Sequence, residues 1–182
     1  YYHCSPVSGL KSLQPNQSLC FEEKHAVHLT TLLPMALIYG IRDFEYAYRF
    51  HFEGGKPRGM YYDEAYPGAL IKLYKGKGGF LYVCADGDCQ TTQKPFEYIS
   101  FEPVSVLGER RVPDLPAAFL DLEQKGELDI IRFQKQSRKS FDFYRRMQKE
   151  VVRKHNLLDT PGPCADYIGT ACPDSWYGAT EE

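Results

Sequence analysis

The chain has 182 residues, 43% hydrophobic and 25% charged, with a formal net charge of −2 and six cysteines. That composition fits an ordinary one-domain globule, long enough to bury most of the surface its unfolded form would expose, so no disulfide is needed merely to make it fold. A pI near 6.2 argues against a dedicated nucleic-acid binder, and no run of about 18 apolar residues occurs to span a membrane.

Aromatics make up 14% of the chain, led by 14 tyrosines. Tyrosine and phenylalanine favour strands and suit surfaces with one dry and one wet side, which predicts a sheet-rich core and favours a binding face. The cysteines, Cys4, Cys20, Cys84, Cys89, Cys164 and Cys172, form three sequence-local pairs. The simplest disulfide pairing is 4 with 20, 84 with 89 and 164 with 172, among the several that six cysteines allow. An even count in a chain starting at Tyr1 reads as a secreted or periplasmic protein whose signal peptide has been removed, and a lipid anchor on a preceding cysteine stays open. Zinc is the competing reading, but the spacings are not CxxC and no histidine sits at finger distance. Asn16-Gln17-Ser18 is a glycosylation sequon.

In chain order, residues 1–18 have loop composition, residues 19–107 read as a β-meander core, residues 108–160 as a helical region and residues 161–182 as a Cys-bracketed tail. Between 19 and 33 helix and strand compete. In a helix His25 and His28 would share a face, where Glu22 or Glu23 could complete a metal site; in a strand they would point apart. After Pro34 a strand is predicted at about 35–41. The clearest period-two signal follows: Phe44, Tyr46, Tyr48, Phe50 and Phe52 alternate with Glu45, Ala47, Arg49, His51 and Glu53, a strand with an aromatic core face and a polar face. The glycines from Gly54 to Gly59 predict a hairpin turn. Residues 69–74 and 80–84 read as strands, and Asp86-Gly87 as a hairpin closed by a Cys84–Cys89 bond. Asp86 and Asp88 offer too few oxygens for a calcium loop. Residues 96–107 predict one more strand, broken or edged at Pro103, 108–116 a linker loop, Asp114 a helix cap with Gly126 as the stop, and 128–131 a short strand. From Ser137 the longest helical pattern begins, its stripe running through Phe141, Tyr144, Met147, Val151 and either His155 or Leu158; Thr160 to Pro163 end it.

The fold these signals predict is α+β: an antiparallel, aromatic-rich sheet of about 5–7 strands, sandwich-like or an open barrel, with the amphipathic C-terminal helix packed on it. Three constellations bear on function. Arg49, His51 and Glu53, with Glu45 nearby, supply the cation, imidazole and carboxylate of a metal-independent phosphodiesterase, and equally the charges of a solvated strand face. The stretch from Arg132 to Lys154, including Arg138, Arg145, Arg146 and Lys149, carries +7 against −9 for the remainder, an asymmetry that can draw an anionic ligand. Nucleophilic chemistry lacks its parts: local disulfides leave no free thiol, and no GxSxG, Walker or GxGxxG motif is present. No cofactor or metal is implied. The function expected is therefore a non-catalytic recognition protein, an effector, inhibitor or immunity-type protein that binds another protein through Tyr61, Tyr62, Tyr66, Trp176 and the basic helix. The alternative is a small secreted hydrolase, such as a ribonuclease-like enzyme using Arg49, His51 and Glu53.

Overall fold

The computed structural model describes residues 1–17, 25–40, 48–64, 67–133 and 137–179. Over these the chain is α+β, in the order β1 (Tyr2–Ser5), β2 (Ser12–Leu13), β3 (Asn16–Gln17), β4 (His25–Thr30), α1 (Leu33–Tyr39), β5 (Tyr48–Glu53), β6 (Lys56–Asp63), α2 (Ala69–Tyr74), β7 (Gly79–Cys84), β8 (Gln90–Thr91), β9 (Glu97–Ser100), β10 (Val104–Val112), α3 (Leu115–Gln124), β11 (Asp129–Ile131), α4 (Arg138–Lys154), α5 (Pro163–Ala171) and α6 (Pro173–Tyr177). The larger sheet is antiparallel and open, ordered β2-β10-β7-β1-β4-β9-β8, with β3 also paired to β4; the smaller is ordered β11-β6-β5, with β11 parallel to β6. Among the described residues no helix is long and apolar enough to cross a membrane.

Strand alternation decides which side chains meet. Along β7, Leu81 joins the main core while Tyr82 and Cys84 point to a second cluster on the opposite face, with Leu13, Val27, Leu29 and Val104. The main core gathers one face of the large sheet (Cys4, Leu81, Val112), one face of the small sheet (Met60, Tyr62, Ile130) and the apolar sides of α1, α2 and α3. At its centre the Tyr74 and Phe119 rings meet edge-on at 4.8 Å, with Tyr62 at 6.3 Å from Tyr74. Such aromatic pairs contribute about 0.5–1.5 kcal/mol beyond the area they bury. A third cluster, Val152, Leu157, Ala165, Ile168, Cys172 and Ala179, holds α4 to α5 and α6.

Several local signals act as their chemistry dictates. Gly54 and Gly55, at φ 55° and 77°, form the β5–β6 turn, where both central residues need positive φ. Asp114 caps α3 by accepting from the Ala117 N–H at 2.9 Å, and past Gly126 the Glu127 N–H returns to the Leu122 carbonyl at 2.9 Å. That return closes the helix end.

Elsewhere the structure corrects the expectation. Residues 33–39 are a helix, not a strand: Pro34 sits in its first turn, where proline fits, and a run buried on all sides carries no period to read. Residues 69–74 are helix α2, because Leu70 and Tyr74, four apart, turn to the same core. The expected strand at 96–107 is interrupted just before Val104, at Pro103, into β9 and β10, but β10 runs on through Gly108 to Val112, where a linker loop is expected. Although β3–β4, β5–β6 and β8–β9 pair as sequence neighbours, the centre of the large sheet joins β10, β7, β1 and β4, which are distant in sequence, so the core is not a simple meander. The tail, expected as a loop, carries α5 and α6.

The disulfide framework is also corrected. Cys4, Cys84 and Cys89 are thiols. Cys84 ends β7, whose neighbours are β1 and β10, whereas Cys89 leads into β8, which pairs with β9. The Asp86-Gly87 loop therefore crosses the sheet rather than closing a hairpin. Burial pushes both the Cys4 and the Cys84 thiol up to about 11. Cys20 and the side chain of Cys164 lie outside the described residues, as do Glu22, Glu23, Phe44, Glu45, Tyr46 and Tyr66.

Candidate functional site

The β5–β6 hairpin orders the polar residues. Arg49 stands opposite Tyr61 and His51 opposite Gly59, and Asp129 of β11 is also opposite Tyr61. Directly paired residues share a face, so Arg49, His51, Tyr61, Asp63 and Asp129 lie on one side of the small sheet and Tyr48, Phe50, Met60, Tyr62 and Ile130 on the other, in the core. The alternation read from the sequence thus holds, among the described residues, from Tyr48 through His51. It then breaks at a register shift between His51 and Phe52, where Arg58 is the extra residue. Such a bulge re-aims the strand, and Phe52, expected in the core, is 53% exposed.

Of the expected trio, Arg49 and His51 are on that face and Glu53 lies beyond the register shift, and the three are engaged separately. Arg49 donates to Asp63 through Nε at 2.7 Å and Nη2 at 3.3 Å, and its guanidinium lies 4.8 Å from the Tyr61 ring centre. The hydrogen bond to Asp63 raises the Arg49 pKa, so its charge is held firmly. Asp63 is completely buried and also accepts from the Tyr144 hydroxyl of α4 at 2.6 Å. The next carboxylate, Glu64, is buried too and accepts from the Phe133 N–H at 3.1 Å. Together these bonds tie the small sheet to the segment that enters α4. Glu53 forms an exposed ion pair with Arg58 at 3.1 Å. His51 is exposed, and its ring centre is 5.6 Å from that of Tyr61.

His51 also lines a cleft of about 410 Å³. Arg58 and Gly59 of β6 lie beside it, Glu127 and Asp129 stand on the opposite wall, and Leu32, Met60 and Leu128 contribute apolar surface. The cleft lies where β11 begins: β11 pairs with β6 only from Tyr61 to Asp63, and Gly126 to Leu128 precede it.

Of the residues expected at a protein interface, Tyr61 is half-buried between Arg49 and His51. Tyr62 is wholly buried in the core, a correction that follows from its place opposite Tyr48 on the aromatic face. Trp176 is half-buried, packed on the C-terminal cluster and 3.5 Å from where a Cβ on Gly169 would stand; its neighbour Tyr177, not singled out by the sequence, is 68% exposed. On α4 the buried line is Tyr144, Gln148 and Val152, with Met147 and Val151 flanking it. The exposed arc carries Arg138, Lys139, Arg146, Arg153 and Lys154 around Phe143, with Asp142 and Glu150 among them, while Arg145 and Lys149 are half-buried.

The remaining polar groups answer other expectations. His25 and His28 fall on a strand, His25 exposed and His28 half-buried, 3.7 Å from Glu97. Among the described residues no group of three or more His, Cys, Asp or Glu is placed to hold a metal ion. Glu97 is buried; burial works against its charge, but bonds from His28 and Thr92 and the charge of Lys94 outweigh it and lower its pKa. His3 is shifted down by burial, against a hydrogen bond to the His28 carbonyl at 3.0 Å.

Asp63, Tyr144, Arg58, Glu127 and Asp129 are the site residues the sequence does not single out. Asp63 carried a signal, since it continues the alternation of Tyr61 along β6; the others become neighbours only through the fold. No family model, curated protein or solved structure matches the chain.

Proposed function

We propose that the protein is a non-catalytic recognition protein, of the effector, inhibitor or immunity type, that acts by occupying another protein. The observation that carries the reading is the solvent arc of α4, where Lys139 and Arg146, four residues before and three after it, flank Phe143, itself 45% exposed, and Arg138 adds charge further round beside Asp142. An exposed aromatic flanked by cations is the material of interface hot spots. The helix has 17 residues and so extends about 25 Å, enough for one side of a protein interface. The rest of the chain carries −9, so a long polyanion would be repelled beyond the helix, whereas a partner with a local acidic patch would not. The engagement of Arg49 by Asp63 and of Glu53 by Arg58 also favours binding over turnover. So does His51, which among the described residues has no hydrogen-bond partner to orient it as a general base.

A secreted or periplasmic setting is expected from cysteine pairing. With Cys4, Cys84 and Cys89 as thiols that warrant falls away, and recognition is proposed without it. The alternative, a hydrolase using His51, Glu53 and Arg49, is favoured by one feature, the place of His51 in a cleft with Glu127 and Asp129. It would require Arg49 to leave Asp63.

The test is photo-crosslinking in extracts of the source organism with Phe143→p-benzoylphenylalanine, beside a control placed at the exposed Val83. A discrete adduct from position 143 alone, lost when Arg138, Lys139 and Arg146 become glutamate, is the expected result. No adduct from 143, or one indifferent to charge reversal, overturns the reading.

A further inference from the structure

We infer that the cleft beside β6 is a binding site for a short peptide of two or three residues with both termini free. Below Tyr61 the edge of β6 on the side of β11 has no strand partner among the described residues, because β11 starts opposite Tyr61 and the chain before it, Gly126 to Leu128, forms the far wall of the cleft. An uncovered strand edge offers main-chain donors and acceptors to an added strand, the mode by which many proteins capture extended peptides. Gly59 stands in this stretch, and a Cβ there would meet nothing within 4 Å, so the floor is open backbone.

The charges fix the direction. Asp129 lies at the Tyr61 end, where it suits an ammonium group; Arg58 and His51 lie at the other end, where they suit a carboxylate that takes Arg58 over from the exposed Glu53. The bulge at Arg58 places that cation next to His51 rather than on the opposite face. A peptide entering with its amino end toward Asp129 runs antiparallel to β6, the stronger pairing. From Tyr61 to Arg58 the strand advances about 10 Å, the span of an extended tripeptide. The volume of about 410 Å³ falls in the range of small-ligand sites, and the half-buried Leu32 and Leu33 give its side chains apolar contact. The inference is independent of the α4 surface and stands or falls by itself.

Calorimetric titration with trialanine, N-acetyl-trialanine and trialanine amide tests it. The expected result is saturable 1:1 binding of trialanine, weakened roughly tenfold by blocking either terminus, as loss of one charge-assisted contact implies. Asp129→Asn should weaken trialanine and leave the N-acetyl form unchanged. Arg58→Gln should weaken trialanine and leave the amide unchanged. These positions are exposed, and circular dichroism confirms that each variant folds. Absence of saturation up to about 10 mM trialanine, or blocked peptides binding as tightly as the free one, overturns the inference.

Discussion

Removing the hydroxyl of Tyr144 should loosen the joint between α4 and the small sheet by a measurable amount. Tyr144 is 3% exposed and Asp63 is fully buried, and the hydroxyl donates at 2.6 Å to a carboxylate that also accepts two bonds from Arg49. A hydrogen bond to a charged group contributes about 1.5–3 kcal/mol, and here water cannot replace the lost donor, so Tyr144→Phe should destabilise by about 2 kcal/mol. With a urea slope of about 2 kcal/mol/M, the unfolding midpoint falls by about 1 M. Arg49→Met keeps the stem and leaves the buried carboxylate without its cation. That change costs about 3 kcal/mol, at the low end of the range because the Arg49 side chain is 44% exposed and solvent already screens it. In an Asp63→Asn background the acceptor is no longer charged, and Tyr144→Phe should cost about half as much. A midpoint shift below about 0.2 M for Tyr144→Phe, or full additivity with Asp63→Asn, would refute the claim that this carboxylate fastens the helix.

Two further expectations concern titration and thiols. His3 has a lowered pKa in the fold, so below its ordinary 6.5 the unfolded chain binds the proton more readily and stability declines as pH falls. Glu97, also lowered, adds stability above its ordinary 4.5 that is lost as pH falls through its folded value. Urea midpoints measured from pH 7 to pH 3.5 should therefore drop in two stages, with His3→Asn flattening the upper and Glu97→Gln the lower; unchanged profiles would contradict both. Under native conditions at pH 8, iodoacetamide should modify Cys89 and spare Cys4 and Cys84, whose buried thiols sit at about 11. Peptide mapping that finds Cys84 and Cys89 joined would reverse the correction made to the disulfides.

The sequence discloses the parts of the fold that carry a period or a cap. The alternation of β5, the turn at Gly54 and Gly55, the Asp114 cap and the helix from Arg138 are all present. It does not disclose α1, because Met35 to Ile38 are buried on every side and give no period. Nor does it disclose sheet order, which is set by long-range pairing: β1 lies between β7 and β4 although about 75 residues separate it from the former. The site was half legible for the same reason. Arg49 and His51 share the face that alternation assigns them, whereas Glu53 lies beyond the register shift. Their actual partners, Asp63, Tyr61 and Arg58, depend on hairpin register and on a one-residue bulge that composition does not announce. Tyr62 was misplaced because two adjacent tyrosines in a strand must point to opposite faces, and only the register says which faces the core.

The most direct test of recognition against catalysis is turnover of generic RNA and ester substrates by the wild type and by His51→Ala, with circular dichroism to show that the variant folds. The account predicts the same background rate from both. Wild-type turnover that vanishes in a folded His51→Ala variant would contradict it and make the polar face of β5 an active site.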